Sequence, residues 1–90
     1  MKQTILVVCR SESSARFVAT LNSCPGVIAW SQVWPGAIVI KITPEATIKT
    51  VEEFLTSQLP MEMYLLTQMS VNFWTIGRMD PKMWDFILNG

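Results

Sequence analysis

The sequence predicts an α+β fold in which a four-stranded antiparallel sheet carries two helices on one face. Three observations predict it. An apolar, β-branched run opens the chain, two further β-rich runs flank the turn dipeptide Pro35-Gly36, and apolar residues recur at helical spacing in two of the intervening stretches. Ninety residues without a repeat or linker make a single domain, 1–90, with one modest core.

The first strand spans Thr4 to Cys9 and is apolar on both sides, which is typical of a central strand covered on two faces. A helix follows it, with Ser11 or Ser13 as the expected N-cap. Its apolar positions are Phe17, Val18, Leu21 and Cys24. The dipeptide Pro25-Gly26 ends this helix.

A hairpin is predicted for Val27 to Ile42, with Pro35-Gly36 at its turn. Three residues of its second strand are expected to face the core: Ile38, Ile40 and Ile42. The residues that alternate with them, Val39 and Lys41, are expected on a face that is partly exposed to water.

A second helix is predicted after Thr47, its expected N-cap, and Pro60 ends it. Its apolar stripe consists of Ile48, Val51, Phe54 or Leu55, and Leu59. The next strand spans Met63 to Met69.

The C-terminal region adds a short extended piece at Phe73 to Ile76 and a final helix. Asp80 is the expected N-cap of this helix, Pro81 its first residue and Asn89-Gly90 its stop signal.

The order strand, helix, hairpin, helix, strand is the split βαβ, or ferredoxin-like, arrangement, in which one face of the sheet stays open. In a chain this apolar, an open face favours a homodimer. The C-terminal segment is expected either to add a fifth strand or to lie as a flap across the seam.

Composition narrows the function. Half of the residues are apolar and only 16% are charged, which favours a surface that contacts another protein. The formal net charge is zero, which weakens the case for nucleic-acid binding. Apolar runs are too short for a signal peptide or a membrane span, so a cytoplasmic protein without membrane contact is predicted. With two cysteines and no histidine, neither a disulfide framework nor a zinc site nor any cofactor is expected.

Chemistry at the tip of the first strand is the enzymatic hypothesis. Cys9 and Arg16 resemble the C-x5-R loop of thiol phosphatases, but six residues separate them and no glycine relieves the loop. A phosphocysteine carrier also has a cysteine after its first strand, yet the hairpin departs from that fold. A metal-dependent nuclease would use Glu12 and its symmetry mate in a dimer. The favoured interpretation is structural, with no catalytic and no metal-binding residue.

Aromatic and basic residues supply the candidate contact surfaces. An RNA-binding sheet combines stacking aromatics with cations, and cations are sparse around these tryptophans, so packing and partner contacts are favoured. The candidate partner surface comprises Trp30, Trp34, Phe73, Trp74 and Trp84. The candidate nucleic-acid contacts are Arg10, Arg16 and Lys41.

The stretches WSQVWPGAIVIKITPEATIKTVEEFLTSQL and MYLLTQMSVNFWTIGRMDPKMWDFILNG resemble the small ferredoxin-like adaptation subunit of CRISPR systems and its free-standing relatives. The shared features are the tryptophan-containing hairpin, the T-x-x-x-V-x-x-x-L stripe of the second helix, the strand after it and the terminal WDFIL. The resemblance implies a homodimer whose C-terminal segments extend the partner's sheet and, in some members, a metal-dependent nuclease. Members usually carry an aspartate after the first strand, where this sequence has Cys9, Arg10 and Ser11, so no catalytic residue carries over.

The sequence therefore predicts a non-enzymatic, homodimeric adaptor or protein-binding module that resembles the CRISPR adaptation scaffold and has a further protein as its partner. Two alternatives stay open. One is a metal-dependent dimeric nuclease. The other is a nucleic-acid-binding module or a phage-encoded inhibitor of a host complex.

Overall fold

The structure is a computed structural model that describes residues 3–69 and 81–89 of the chain. Its elements are β1 (Gln3–Cys9), a single 3-10 turn (Ser11–Ser13), α1 (Ser14–Leu21), β2 (Val27–Trp34), β3 (Ala37–Ile42), α2 (Ile48–Gln58), β4 (Tyr64–Met69) and α3 (Pro81–Asn89). The predicted α+β class and the hairpin are confirmed. The predicted extended piece at Phe73 to Ile76 and the predicted cap Asp80 lie outside the described residues.

The four strands form one antiparallel sheet in the order β2-β3-β1-β4. β1 and β3 are the inner strands, and β2 and β4 form the two edges. β1 and β2, which α1 connects, run parallel to each other with β3 between them, and β3 and β4 have the same relation across β1. This topology is compatible with a ferredoxin-like fold.

Two helices cover one face of the sheet, which we call the first face. Its strand residues in the core are Ile5, Val7, Ile38, Ile40 and Ile42. α1 contributes Phe17 and Leu21, α2 contributes Val51 and Leu55, and all four side chains are completely buried. Because apolar burial is the main favourable contribution to folding, this layer holds most of the stability of the domain.

The opposite, second face of the sheet carries Thr4, Leu6, Val8, Val39 and Lys41. α3 lies against one part of it. The Ser31 hydroxyl donates a hydrogen bond to the Met83 sulfur at 3.1 Å, and the Lys41 ammonium donates one to the Ile87 carbonyl at 2.8 Å. The second face is therefore not left open along its whole length.

The prediction that Val39 and Lys41 lie on a partly wet face was wrong. Both are buried, Lys41 with only 5% of its surface exposed. α3 covers this end of the face, and the Ile87 carbonyl in its last turn replaces water at the ammonium, where a cation interacts favourably with a helix C-terminus. The hydroxyl of Thr4 accepts a second hydrogen bond from the ammonium at 2.9 Å.

The helix starts differ from each other. α2 begins as predicted after Thr47, whose hydroxyl accepts from the Thr50 amide while the Thr50 hydroxyl accepts from the Thr47 amide. α1 begins after Ser13, one of the two predicted N-cap residues, but the Ser13 side chain accepts no hydrogen bond from a helix amide. The Ser13 hydroxyl instead donates to the carboxylate of Glu62 at 2.8 Å, which turns it toward the end of α2.

Within residues 3–69 and 81–89, no helix combines the length and the hydrophobicity that crossing a bilayer requires.

Candidate interaction surfaces

The polar residues after β1 are tied into the fold. The amide of Gly36, in the β2-β3 turn, donates to the hydroxyl of the buried Ser14 at 2.6 Å. The Cys9 amide donates to the Gly36 carbonyl at 2.8 Å. Gly36 has φ +86°, and a Cβ there would lie 2.5 Å from the Cys9 carbonyl oxygen, so only glycine fits. These serine and cysteine positions therefore fasten the hairpin turn to the end of β1.

The Cys9 thiol lacks the environment of a nucleophile. Burial raises the pKa of this thiol, and the carboxylate of Glu62 adds to the rise, while a hydrogen bond with Ser14 opposes it. A reactive cysteine needs the opposite shift, toward the thiolate. The cation that the C-x5-R comparison would require, Arg16, is paired with Glu62. The residues at the end of β1 therefore have a structural role, which is to hold the hairpin turn against β1.

Glu12, the carboxylate of the nuclease alternative, is bound by a neighbouring guanidinium. The Arg10 Nη2 atom lies 2.7 Å from Glu12 Oε1, and the Arg10 Nε atom donates to the same oxygen at 2.9 Å. A backbone hydrogen bond of Glu12 and the Arg10 interaction lower the pKa of this carboxyl. Among the described residues, histidine, cysteine and acidic side chains form no group of three that is able to hold a metal ion.

The three candidate nucleic-acid contacts each have an acceptor within the protein. Arg10 is paired with Glu12 and Arg16 with Glu62. Lys41 is buried beneath α3. None of the three is presented as an unpaired surface cation, and binding to a phosphate backbone stays an untested prediction.

The candidate partner surface is divided between the two faces. Trp30 packs against the core and its indole N–H donates to the Asn22 side-chain oxygen at 2.6 Å. Trp34 is 55% exposed. Phe73 and Trp74 lie outside the described residues, and so does the side chain of Trp84.

An apolar row crosses all four strands on the second face. Trp34 is opposite Ala37, Ala37 is opposite Val8, and Val8 is opposite Leu65. Directly opposed residues of antiparallel strands place their side chains on the same face, so these four form one continuous row. Trp34, Val8 and Leu65 are exposed by 55%, 38% and 58%. The apolar row lies at the end of the sheet away from the residues that α3 covers.

A groove runs between α2 and the edge strand β4. It has a volume of about 480 Å³. Its lining residues are Ile48, Lys49, Glu52, Tyr64 and Leu66. The Tyr64 hydroxyl donates to the Glu52 carbonyl at 3.0 Å and lies 2.6 Å from the Thr56 hydroxyl. These contacts fix the tyrosine ring as one wall of the groove.

Sequence reasoning identified Trp34 but not Val8, Leu65 or the groove. The apolar row depends on the register between strands that are distant in the chain, which periodicity does not contain. One signal was present in the sequence: the strand YLLTQM contains no charged residue and no proline, which is unusual for an edge strand.

A scan against protein-family models, a search of curated proteins and a search of solved structures each found no match to the chain. The resemblance to the CRISPR adaptation subunit gains no support from these comparisons and stays a prediction.

Proposed function

We propose that the protein is a non-enzymatic, homodimeric protein-binding module of the ferredoxin-like type that works as an adaptor in the cytoplasm. The observation that carries the proposal is the apolar row on the second face. Three of its side chains are substantially exposed, and the row joins them across all four strands of the sheet. A contiguous exposed apolar surface of this kind marks an interaction site.

A second copy of the chain is the partner that suits this surface. The apolar row contains no charged residue, and the net charge of the chain is zero, so two copies do not repel each other. A two-fold axis through the row would place Trp34 and Leu65 of one copy against the same surface of the other. Sheets pack in this way face to face at about 10 Å, with the inner side chains interdigitating.

The dimer leaves the sheet edges available. Backbone groups at an edge point within the plane of the sheet, whereas the apolar row points perpendicular to it. Two copies joined through their faces would therefore present two β4 edges to other proteins. A bivalent binder of this geometry fulfils the scaffold role that the CRISPR resemblance implies, and it equally suits a phage-encoded inhibitor of a host complex.

A cytoplasmic location is supported by the two thiols, Cys9 and Cys24, which form no disulfide. The described residues offer no observation that favours the nuclease alternative over the adaptor, because Glu12 is engaged by Arg10.

Sedimentation velocity across a dilution series tests the proposal. The native-sequence protein is expected to shift from dimer to monomer on dilution. Trp34→Lys places a charge in the apolar row and is expected to raise the dimer dissociation constant by about thirtyfold or more, as loss of an interface hot spot does.

The matched control is Ile28→Lys, which also replaces an exposed apolar residue of β2, but one outside the apolar row. It is expected to leave the dissociation constant within about threefold of the native value. A native protein that stays monomeric at the highest concentration, or equal effects of the two substitutions, would contradict the proposal.

A further inference from the structure

The two edges of the sheet are protected unequally. β2 is irregular, with register shifts between Val27 and Ala29 and between Gln32 and Trp34. Bulges of this kind twist an edge strand and discourage pairing with another chain. β4 pairs with β1 through six consecutive residue pairs without any shift. β4 thus keeps the regular geometry that a further strand would need.

β4 also lacks the residues that guard exposed edges. Natural proteins protect such strands with charges, proline or bulges. The sequence of β4, YLLTQM, has neither a charged residue nor a proline. Within the described part of the chain, the sheet ends at β4, whose outer side pairs with no other strand. Its outer N–H and C=O groups are a template for main-chain hydrogen bonds.

The groove beside this edge supplies side-chain recognition. Its volume of about 480 Å³ lies within the range of about 300 to 1,000 Å³ that is typical of ligand sites. Ile48, Tyr64 and Leu66 give it an apolar lining. In an added strand, alternate side chains would point toward the α2 side, so the groove would receive one apolar side chain of the strand.

We propose that the β4 edge and the α2-β4 groove together bind an extended segment of a partner protein, which adds to the sheet as a fifth strand. The proposal rests on the proposed function as a protein-binding module and names the chemistry of the partner segment. The segment is β-prone, carries an apolar side chain that enters the groove, and has basic residues beside it.

The basic residues of the partner segment are proposed because of the negative charge near α2. The carboxylates along and before α2 are Glu45, Glu52 and Glu53, against the single cation Lys49. Among the described residues, the ion pairs join only Arg10 to Glu12 and Arg16 to Glu62, so the carboxylates of α2 have no cationic partner there. Glu52 lines the groove itself. Lys49 lines the groove as well, but the α2 side of the groove carries three carboxylates against this one cation, so a lysine or arginine of the segment would meet a net negative charge there.

The test titrates the isotope-labelled full chain with a short synthetic peptide of alternating valine and threonine that has a lysine at each end. Saturable shifts of the β4 amide resonances and of the Tyr64 ring are expected, together with slowed hydrogen exchange along β4. The control peptide has the same side chains but carries N-methyl groups on alternate amides, which removes the donors that pair with β4. It is expected to bind at least about tenfold more weakly.

Two variants locate the charge effect. Glu52→Lys reverses the charge in the groove and is expected to weaken peptide binding by about threefold to tenfold. Glu53→Lys makes the same change of net charge on the adjacent, exposed position outside the groove lining, and is expected to change the affinity by less than about twofold.

The same titration of Trp34→Lys separates this proposal from the dimer. Unchanged peptide affinity in that variant is expected, since Trp34 lies on β2 at the opposite edge of the sheet. Absence of saturable binding, equal binding of the N-methylated peptide, or shifts confined to the apolar row would overturn strand addition while leaving the dimer proposal standing. Concentration-dependent slowing of hydrogen exchange along the β4 amides of Trp34→Lys without peptide would assign the edge to a second copy and overturn strand addition as well.

Discussion

The two faces of the sheet differ in how completely they are covered. On the first face, two helices cover the strands, and the core side chains from Ile5 to Leu55 are buried. On the second face, α3 covers the end around Lys41, and the described residues leave the apolar row at the other end exposed. One face therefore holds the fold together, and the other has apolar surface that the described residues do not cover. The difference separates residues that are needed for folding from residues that are available for binding.

The largest expected effect is a difference in stability loss between substitutions on the first face and on the second face. Phe17→Ala removes a completely buried side chain from the first face and is expected to lower the free energy of unfolding by about 3 to 5 kcal/mol. Leu65→Ala, in the apolar row, is expected to cost less than about 0.5 kcal/mol in the monomer. Urea denaturation at a concentration below dimerisation measures both. Similar losses for the two variants would remove the distinction between the faces.

The next effect concerns the joint between the hairpin turn and β1. Gly36→Ala puts a Cβ against the Cys9 carbonyl in a backbone conformation that favours glycine, and is expected to cost about 2 kcal/mol or more. Thermal or urea unfolding measures the loss. A variant as stable as the native chain would show that this turn is free to move away from β1.

A smaller effect tests the covered end of the second face. Lys41→Met removes the two hydrogen bonds to Thr4 and Ile87 and is expected to lower the free energy of unfolding by about 1.5 to 3 kcal/mol. Faster hydrogen exchange in α3 is expected to accompany it. The control is Lys49→Met on the exposed side of α2, with an expected change within about 0.5 kcal/mol. Unaltered exchange in α3 after Lys41→Met would mean that the ammonium does not hold the helix.

The smallest expected effect is the difference in the pKa of the Cys9 thiol between the folded and the unfolded chain. Because burial raises its pKa, thiolate formation should begin at a higher pH in the folded protein than in the urea-unfolded chain. The folded state holds this proton more tightly, so the thiol contributes stability that is lost as the pH rises through its folded pKa. Thiolate absorbance of the Cys24→Ala variant, which keeps only Cys9, records the titration. A folded midpoint below the unfolded one would reinstate Cys9 as a reactive thiol.

Much of the fold was predictable from local signals. The stripe of α2 and its Thr47 cap, the turn at Gly36 and the runs of β-branched residues each act within a few residues of the chain. Contacts between distant segments were not predictable. The Ser13 side chain bonds to Glu62 and not to a helix amide, and Val39 is buried on the face of the sheet against which α3 packs.

The candidate surfaces also divide into residues that local sequence signals identify and residues that only contacts between distant segments identify. Trp34 stands out in the sequence as a large apolar residue beside a turn, and its exposure was expected at a partner surface. Val8 looked like an ordinary residue of a buried strand. The pairing of β1 with β4 places it beside Leu65, and both side chains lie on the part of the second face that the described α3 residues do not cover.

An isotope-filtered NOE experiment on a mixture of labelled and unlabelled protein tests most directly whether the bare end of the second face is where two copies meet. Contacts from the methyl groups of Val8 and Leu65 in one molecule to Trp34, Val8 or Leu65 in the other are predicted. A dimer whose intermolecular contacts lie elsewhere, or a concentrated sample that gives none, would contradict that assignment.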